Sequence, residues 1–126
     1  MAGPSICALL DRELDAAGLV EADAILAAVA SKVVRTRRGR VWHIWIAAHD
    51  GEANIERPYS VSLERLNGLE EEDLELLVGS NRPLDSVKER LVISSGLNSK
   101  IDYAQIETLA QRFVARFGGI SNVAIK

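Results

Sequence analysis

The sequence predicts an α+β fold: two N-terminal helices, a three-stranded antiparallel meander with a basic hairpin, then two shorter helices and a long C-terminal helix packed on the sheet. Three observations lead there. Apolar residues recur at helical spacing over 5–31 and again over 101–117. Between these stretches the period shifts to two, with β-branched and aromatic residues around the turn at Arg38-Gly39. The chain has 126 residues, 48% of them hydrophobic, so one domain spanning 1–126 can bury a core without disulfide staples.

The elements follow in order. Ser5 is placed to cap a helix running to about Ala17, with Ile6, Leu9, Leu10 and Leu14 at helical spacing and Gly18 as its stop. Leu19 to Ser31 reads as a second, Ala-rich helix, with Ala22, Ile25, Leu26 and Val29 on its inner side. Val33 and Val34 open a strand that turns at Arg38-Gly39 and returns as Val41 to Ala48. That turn sets Arg35 opposite Trp42, Val34 opposite His43 and Val33 opposite Ile44. The returning strand is apolar on both faces, a pattern expected of a central strand covered on both sides. His49 to Pro58 reads as a polar loop. Tyr59, Val61 and Leu63 alternate with polar residues as a half-buried third strand. Leu69 to Val78 reads as a helix with acids in its first turn, and Pro83 to about Ser94 as another, with Leu84, Val87 and Leu91 on one side. The tail of the latter, Leu91 to Ile93, also fits a short strand. Ser99 and Asp102 have capping-box spacing for the last helix, in which Ile106, Leu109, Phe113 and Phe117 form one stripe ended by Gly118-Gly119. Ile120 to Lys126 is long enough only for a strand or tail.

Charge narrows the function classes. Fifteen basic and 18 acidic residues give a net charge of −3, which excludes a surface that coats nucleic acid or anionic membrane as a whole. The distribution is uneven: residues 32–49 hold five bases and no acid. Lys32, Arg35, Arg37, Arg38 and Arg40, with Trp42 beside them, have the composition of a basic ribbon that follows phosphates and stacks on bases. The same residues also fit a structural reading. In it the arginines form a solvated tip, their stems cover apolar surface, and they pair with the acidic block from Glu70 to Glu75, while the tryptophans are core.

Other candidates carry weaker signals. His43 sits in an apolar strand and reads first as a hydrogen-bonded core histidine; with Trp45 it forms the third reading, a small-molecule-binding domain or enzyme with a Trp-lined pocket. His49, Asp50, Glu52 and Glu56 are metal-ligating types, but their spacing fits no ligand pattern, so no metal or cofactor is expected. No phosphate loop or nucleophile elbow is present, and no catalytic residue is assigned. A helix-turn-helix ending at Lys126 is rejected because its second helix would be too short and carry one base. Cys7 reads as a buried small hydrophobe, and a lone thiol without secretory or spanning segments fits the cytoplasm. The expectation is a non-catalytic cytoplasmic interaction or accessory module, homodimeric and acting by protein–protein contact, without a membrane partner. The alternative is a nucleic-acid-binding regulatory protein using the hairpin 32–42. Self-association is expected because the doubly apolar strand lies in a small sheet with two open edges.

Overall fold

The computed structural model describes residues 3–36, 39–50, 53–83, 85–96 and 99–121. They form β1 (Ser5–Leu10), α1 (Ala16–Val29), β2 (Lys32–Arg35), β3 (Val41–Asp50), β4 (Ala53–Arg65), α2 (Glu71–Gly79), β5 (Glu89–Ser95), α3 (Lys100–Phe117) and β6 (Gly119–Ser121). The strands make one six-stranded antiparallel sheet in the order β2-β3-β4-β5-β1-β6. The class is α+β, but the predicted arrangement is overturned: the described residues form a six-stranded sheet in place of the three-stranded meander, and three helices in place of five.

The first correction is at the N-terminus. Residues 5–10 are not a helix but a strand between β5 and β6, with Ser5 opposite Ser94 and Leu10 opposite both Glu89 and Gly119. Ile6, Ala8 and Leu10 face one side of the sheet, and Leu9 is buried on the other. A strand covered on both sides has no polar face, so its sequence shows no period of two. The spacing of Ile6, Leu9 and Leu10 then imitates a helix.

The second correction is the segment 83–94, whose tail forms β5 rather than the end of a helix. Val87, Glu89, Leu91, Ile93 and Ser95 are all buried and alternate with more open residues. Val87 lies before the strand and packs on the opposite side of the sheet from Leu91, so their helical spacing of four reflects no shared face. Glu89 hides the alternation, because a carboxylate occupies an inward position. The predicted polar loop after Ala48 is likewise short: β3 extends to Asp50 and β4 starts at Ala53. β3 and β4 therefore pair along ten residues, from Val41–Ser62 to Asp50–Ala53. Beyond Tyr59 β4 has only β3 as a neighbour, and Pro58 sits there, where a missing N–H forfeits no bond to β5.

Other elements keep their predicted form. The β2–β3 pairing has the register set by the turn, Val33–Ile44, Val34–His43 and Arg35–Trp42. The long helix is α3, and its stripe of Ile106, Leu109, Phe113 and Phe117 is buried against the sheet. α1 lies on the same face, contributing Ala22 and Leu26 to the core with Trp42, Ile44 and Val61 below. α2 covers only part of the opposite face, where Leu77 and Val87 pack on Leu9 with Ile120 alongside. Gly119 has φ +144°, and a Cβ there would strike the Leu9 carbonyl oxygen, so only glycine lets β6 lie against β1. Among the described residues no element covers the half of that face formed by β3 and its neighbours.

Candidate functional site

The β2–β3 hairpin gathers the basic block at one edge of the sheet, but most of it is engaged within the molecule. Arg40 turns inward, pairs with the fully buried Glu89 and donates to the Leu14 carbonyl at 3.0 Å. Glu89 also accepts the Leu14 N–H at 2.6 Å, so this cluster ties the hairpin to β5 and the start of α1. Arg35 lies 3.5 Å from Asp23 of α1. Lys32 places its Nζ 5.0 Å from the centre of the Trp45 ring. Trp42 is buried and donates its indole N–H to Asp23 at 2.7 Å, so it offers no ring face to a base. Arg37 and Arg38 lie outside the described residues, as does Glu52. Among the described residues, Arg35 and Arg40 do not pair with the acidic block as the structural reading above expects: Glu70 and Asp73 pair with Arg90 of β5. Burial alone would raise the Asp73 carboxyl, but hydrogen bonds from Arg90 and the Glu70 N–H hold it below the usual carboxylate range.

His43 is not a core histidine. Successive side chains of a strand point to opposite faces, and Trp42 and Ile44 take the helical face. His43 and Trp45 therefore emerge on the open face, where His43 is exposed and Trp45 half-buried. They line a shallow depression of about 580 Å³ with Pro58, Ser60, Ser94 and Ser5. The sheet register puts four of these in one row across four strands: His43 opposite Ser60, Ser60 opposite Ser94, Ser94 opposite Ser5. Trp45 and Pro58 form the neighbouring cross-strand pair and wall one side. Single-strand reading found His43 and Trp45; it could not find the serines, because only the register aligns them.

A second open surface lies on the helical face. The exposed residues of α1 are Ala16, Ala17, Val20, Ala24, Ala27 and Ala28, and Val20 is 61% exposed. None is charged or polar. Beside them runs a groove of about 570 Å³ between α1 and α3, floored by Ala24, Ile25, Ala28 and Ala115 and rimmed by Glu21, Arg112 and Arg116.

The buried titratable groups are structural. Asp102 of α3 is fully buried and accepts from Arg57 at 2.6 and 3.0 Å, Tyr59 at 2.9 Å, and the Ser99 hydroxyl and N–H at 2.9 and 3.1 Å. Burial would raise its carboxyl, but the bonds from Arg57, Ser99 and Tyr59 prevail and lower it. Burial, then the bond to Asp102, pushes the Tyr59 hydroxyl well above its ordinary value. The cap spacing of Ser99 and Asp102 was legible; the reach of Arg57 and Tyr59 from β4 was not. Burial pushes the Cys7 thiol up to about 11, with Asp73 adding to it, so it is a poor nucleophile at neutral pH. No group of three or more metal-ligating residues occurs among the described residues, and no helix among them is long and apolar enough to cross a membrane.

No protein-family model, characterised protein or solved structure matches the chain. Function therefore rests on the geometry of these two surfaces.

Proposed function

We propose that the protein is a non-catalytic interaction module that forms a homodimer through the outer face of α1. The observation that supports this is the absence of any polar side chain among that helix's exposed residues. A helix on the outside of a single domain ordinarily carries charges on its solvent side; in α1 the two acids, Glu21 and Asp23, are paired with arginines of the same chain, and the outermost positions are apolar. A second copy fits the surface. In a twofold interface each patch meets itself, and alanines let two copies of α1 approach closely. On the groove rim Glu21 pairs with Arg116 and Arg12 of its own chain, so the alanines and Val20 carry the case for a partner. A cytoplasmic location belongs to the same proposal and rests on the lone thiol, Cys7.

The hairpin reading has less support. Arg40 and Trp42 are committed to the interior, and Arg35 shares Asp23 with Trp42. The test is sedimentation equilibrium at micromolar concentration. We expect twice the 13.7 kDa chain mass, falling to one chain mass in Val20→Asp/Ala24→Glu with the circular dichroism spectrum unchanged. A single 13.7 kDa species for the unaltered protein overturns the proposal.

A further inference from the structure

The open sheet face is independent of the α1 surface and lies on the other side of the sheet. A solvent-facing half of an antiparallel sheet is ordinarily filled by long charged side chains. Here the row across β3, β4, β5 and β1 is His43, Ser60, Ser94 and Ser5, short polar groups that leave the depression of about 580 Å³ above them. None of the four side chains has a hydrogen-bond partner among the described residues. Neighbouring strands lie about 4.8 Å apart, so the row presents donors and acceptors at that repeat for the width of four strands. Trp45 and Pro58 stand along one side as an apolar wall. The described lining contains no carboxylate, lysine or arginine.

We propose that this depression binds a neutral glycan, a short run of pyranose rings lying across the strands. Each feature has its counterpart in that ligand. Sugar hydroxyls donate and accept at once, as serine hydroxyls and an imidazole do. The ring repeat of an extended glucan is close to the spacing between strands, so successive rings can meet successive members of the row. The C–H face of a pyranose packs on an indole or a proline ring, which supplies the apolar contact that hydroxyl pairing alone lacks. A phosphate or carboxylate ligand would demand a buried cation that the lining does not contain. A bare aromatic ligand would use Trp45 and leave the polar row unused.

The test is NMR titration of the ¹⁵N-labelled protein with cellopentaose and with maltopentaose, and adenosine as a planar stacking control. We expect one of the two sugars at millimolar concentration to shift the amides of residues 43–45, 58–60 and 94–95, with adenosine inert. Trp45→Ala should abolish the shifts. Ser60→Ala/Ser94→Ala, which removes two half-buried hydroxyls with no bond to the rest of the domain, should weaken binding by about tenfold. Val20→Asp/Ala24→Glu should bind as the unaltered protein does, which separates this site from the dimer surface. No shift with either sugar overturns the proposal. So does binding that survives both site variants, or binding of adenosine in place of the sugars.

Discussion

α1 and α3 lie side by side on one face of the sheet, yet they meet solvent in opposite ways. α3 presents Lys100, Thr108, Gln111, Arg112 and Arg116 outward and buries Ile106, Leu109 and Phe113. α1 buries Ala22 and Leu26, pairs its two acids with arginines of the chain, and presents alanines and Val20 at its most exposed positions. Their N-termini differ as well. α3 is capped by Ser99 and Asp102, and Asp102 also receives Arg57 and Tyr59 from the sheet. α1 is capped by Asp15, which accepts one bond from the Gly18 N–H at 2.8 Å. One helix is thus completed by its own domain. The other is only half satisfied by it, and this is the physical basis for assigning it a partner.

The largest expected effects test the inner faces. Phe113→Ala should destabilise by about 3–5 kcal/mol and Leu26→Ala by about 2–5, measured by urea unfolding of the purified protein. A loss under about 1 kcal/mol for Leu26→Ala would mean that α1 is held mainly by something outside the domain, and the comparison would need recasting.

The caps come next. Asp102→Ala should destabilise by about 3–5 kcal/mol, because it leaves Arg57 and Tyr59 without their buried acceptor. Asp15→Ala should cost only about 1 kcal/mol. Equal losses in thermal melts would erase the difference between the two helix starts. The same contrast predicts a pH dependence. The Asp102 and Asp73 carboxyls are held below their ordinary value of 3.8, so the stability from their ionised forms is complete above the unfolded-state value. It is lost as the pH falls below about 4 through the lowered values. Melting temperature should drop steeply over that range, and less steeply in Asp102→Asn.

The smallest effect on the folded chain, and the most telling for function, concerns Val20. Val20→Lys should change the stability of the single chain by less than about 0.5 kcal/mol, since the side chain is mostly exposed. It should nonetheless shift the sedimenting species toward one chain mass. A stability loss of several kcal/mol with no change in mass would place Val20 in the domain's own packing.

Local signals carried part of the fold. The Arg38-Gly39 turn set the β2–β3 register, and the stripe ending at Phe117 marked α3, because neighbours in sequence determine both. β1 was missed, and β5 was legible only as an alternative over Leu91 to Ile93, because each is defined by a distant partner: Ser5 meets Ser94, and no local pattern records a pairing across the length of the chain. Inward charges added to the difficulty. Glu89 and Asp102 look like surface residues until Arg40, Leu14, Arg57 and Tyr59 are brought to them.

The candidate surfaces divide along the same line. His43 and Trp45 could be named from one strand, and the alanines of α1 from one helix. That Ser60, Ser94 and Ser5 stand in register with His43 was decided by pairings among four strands distant in sequence. That the most exposed positions of α1 are alanines and Val20 was decided by which side of the helix meets the sheet. Composition, caps, turns and short-range periods are properties of neighbours along the chain, and the sequence determined these alone. Strand order, the burial of a charge and the choice of exposed face arise from contacts across the fold, and only the tertiary structure decided them.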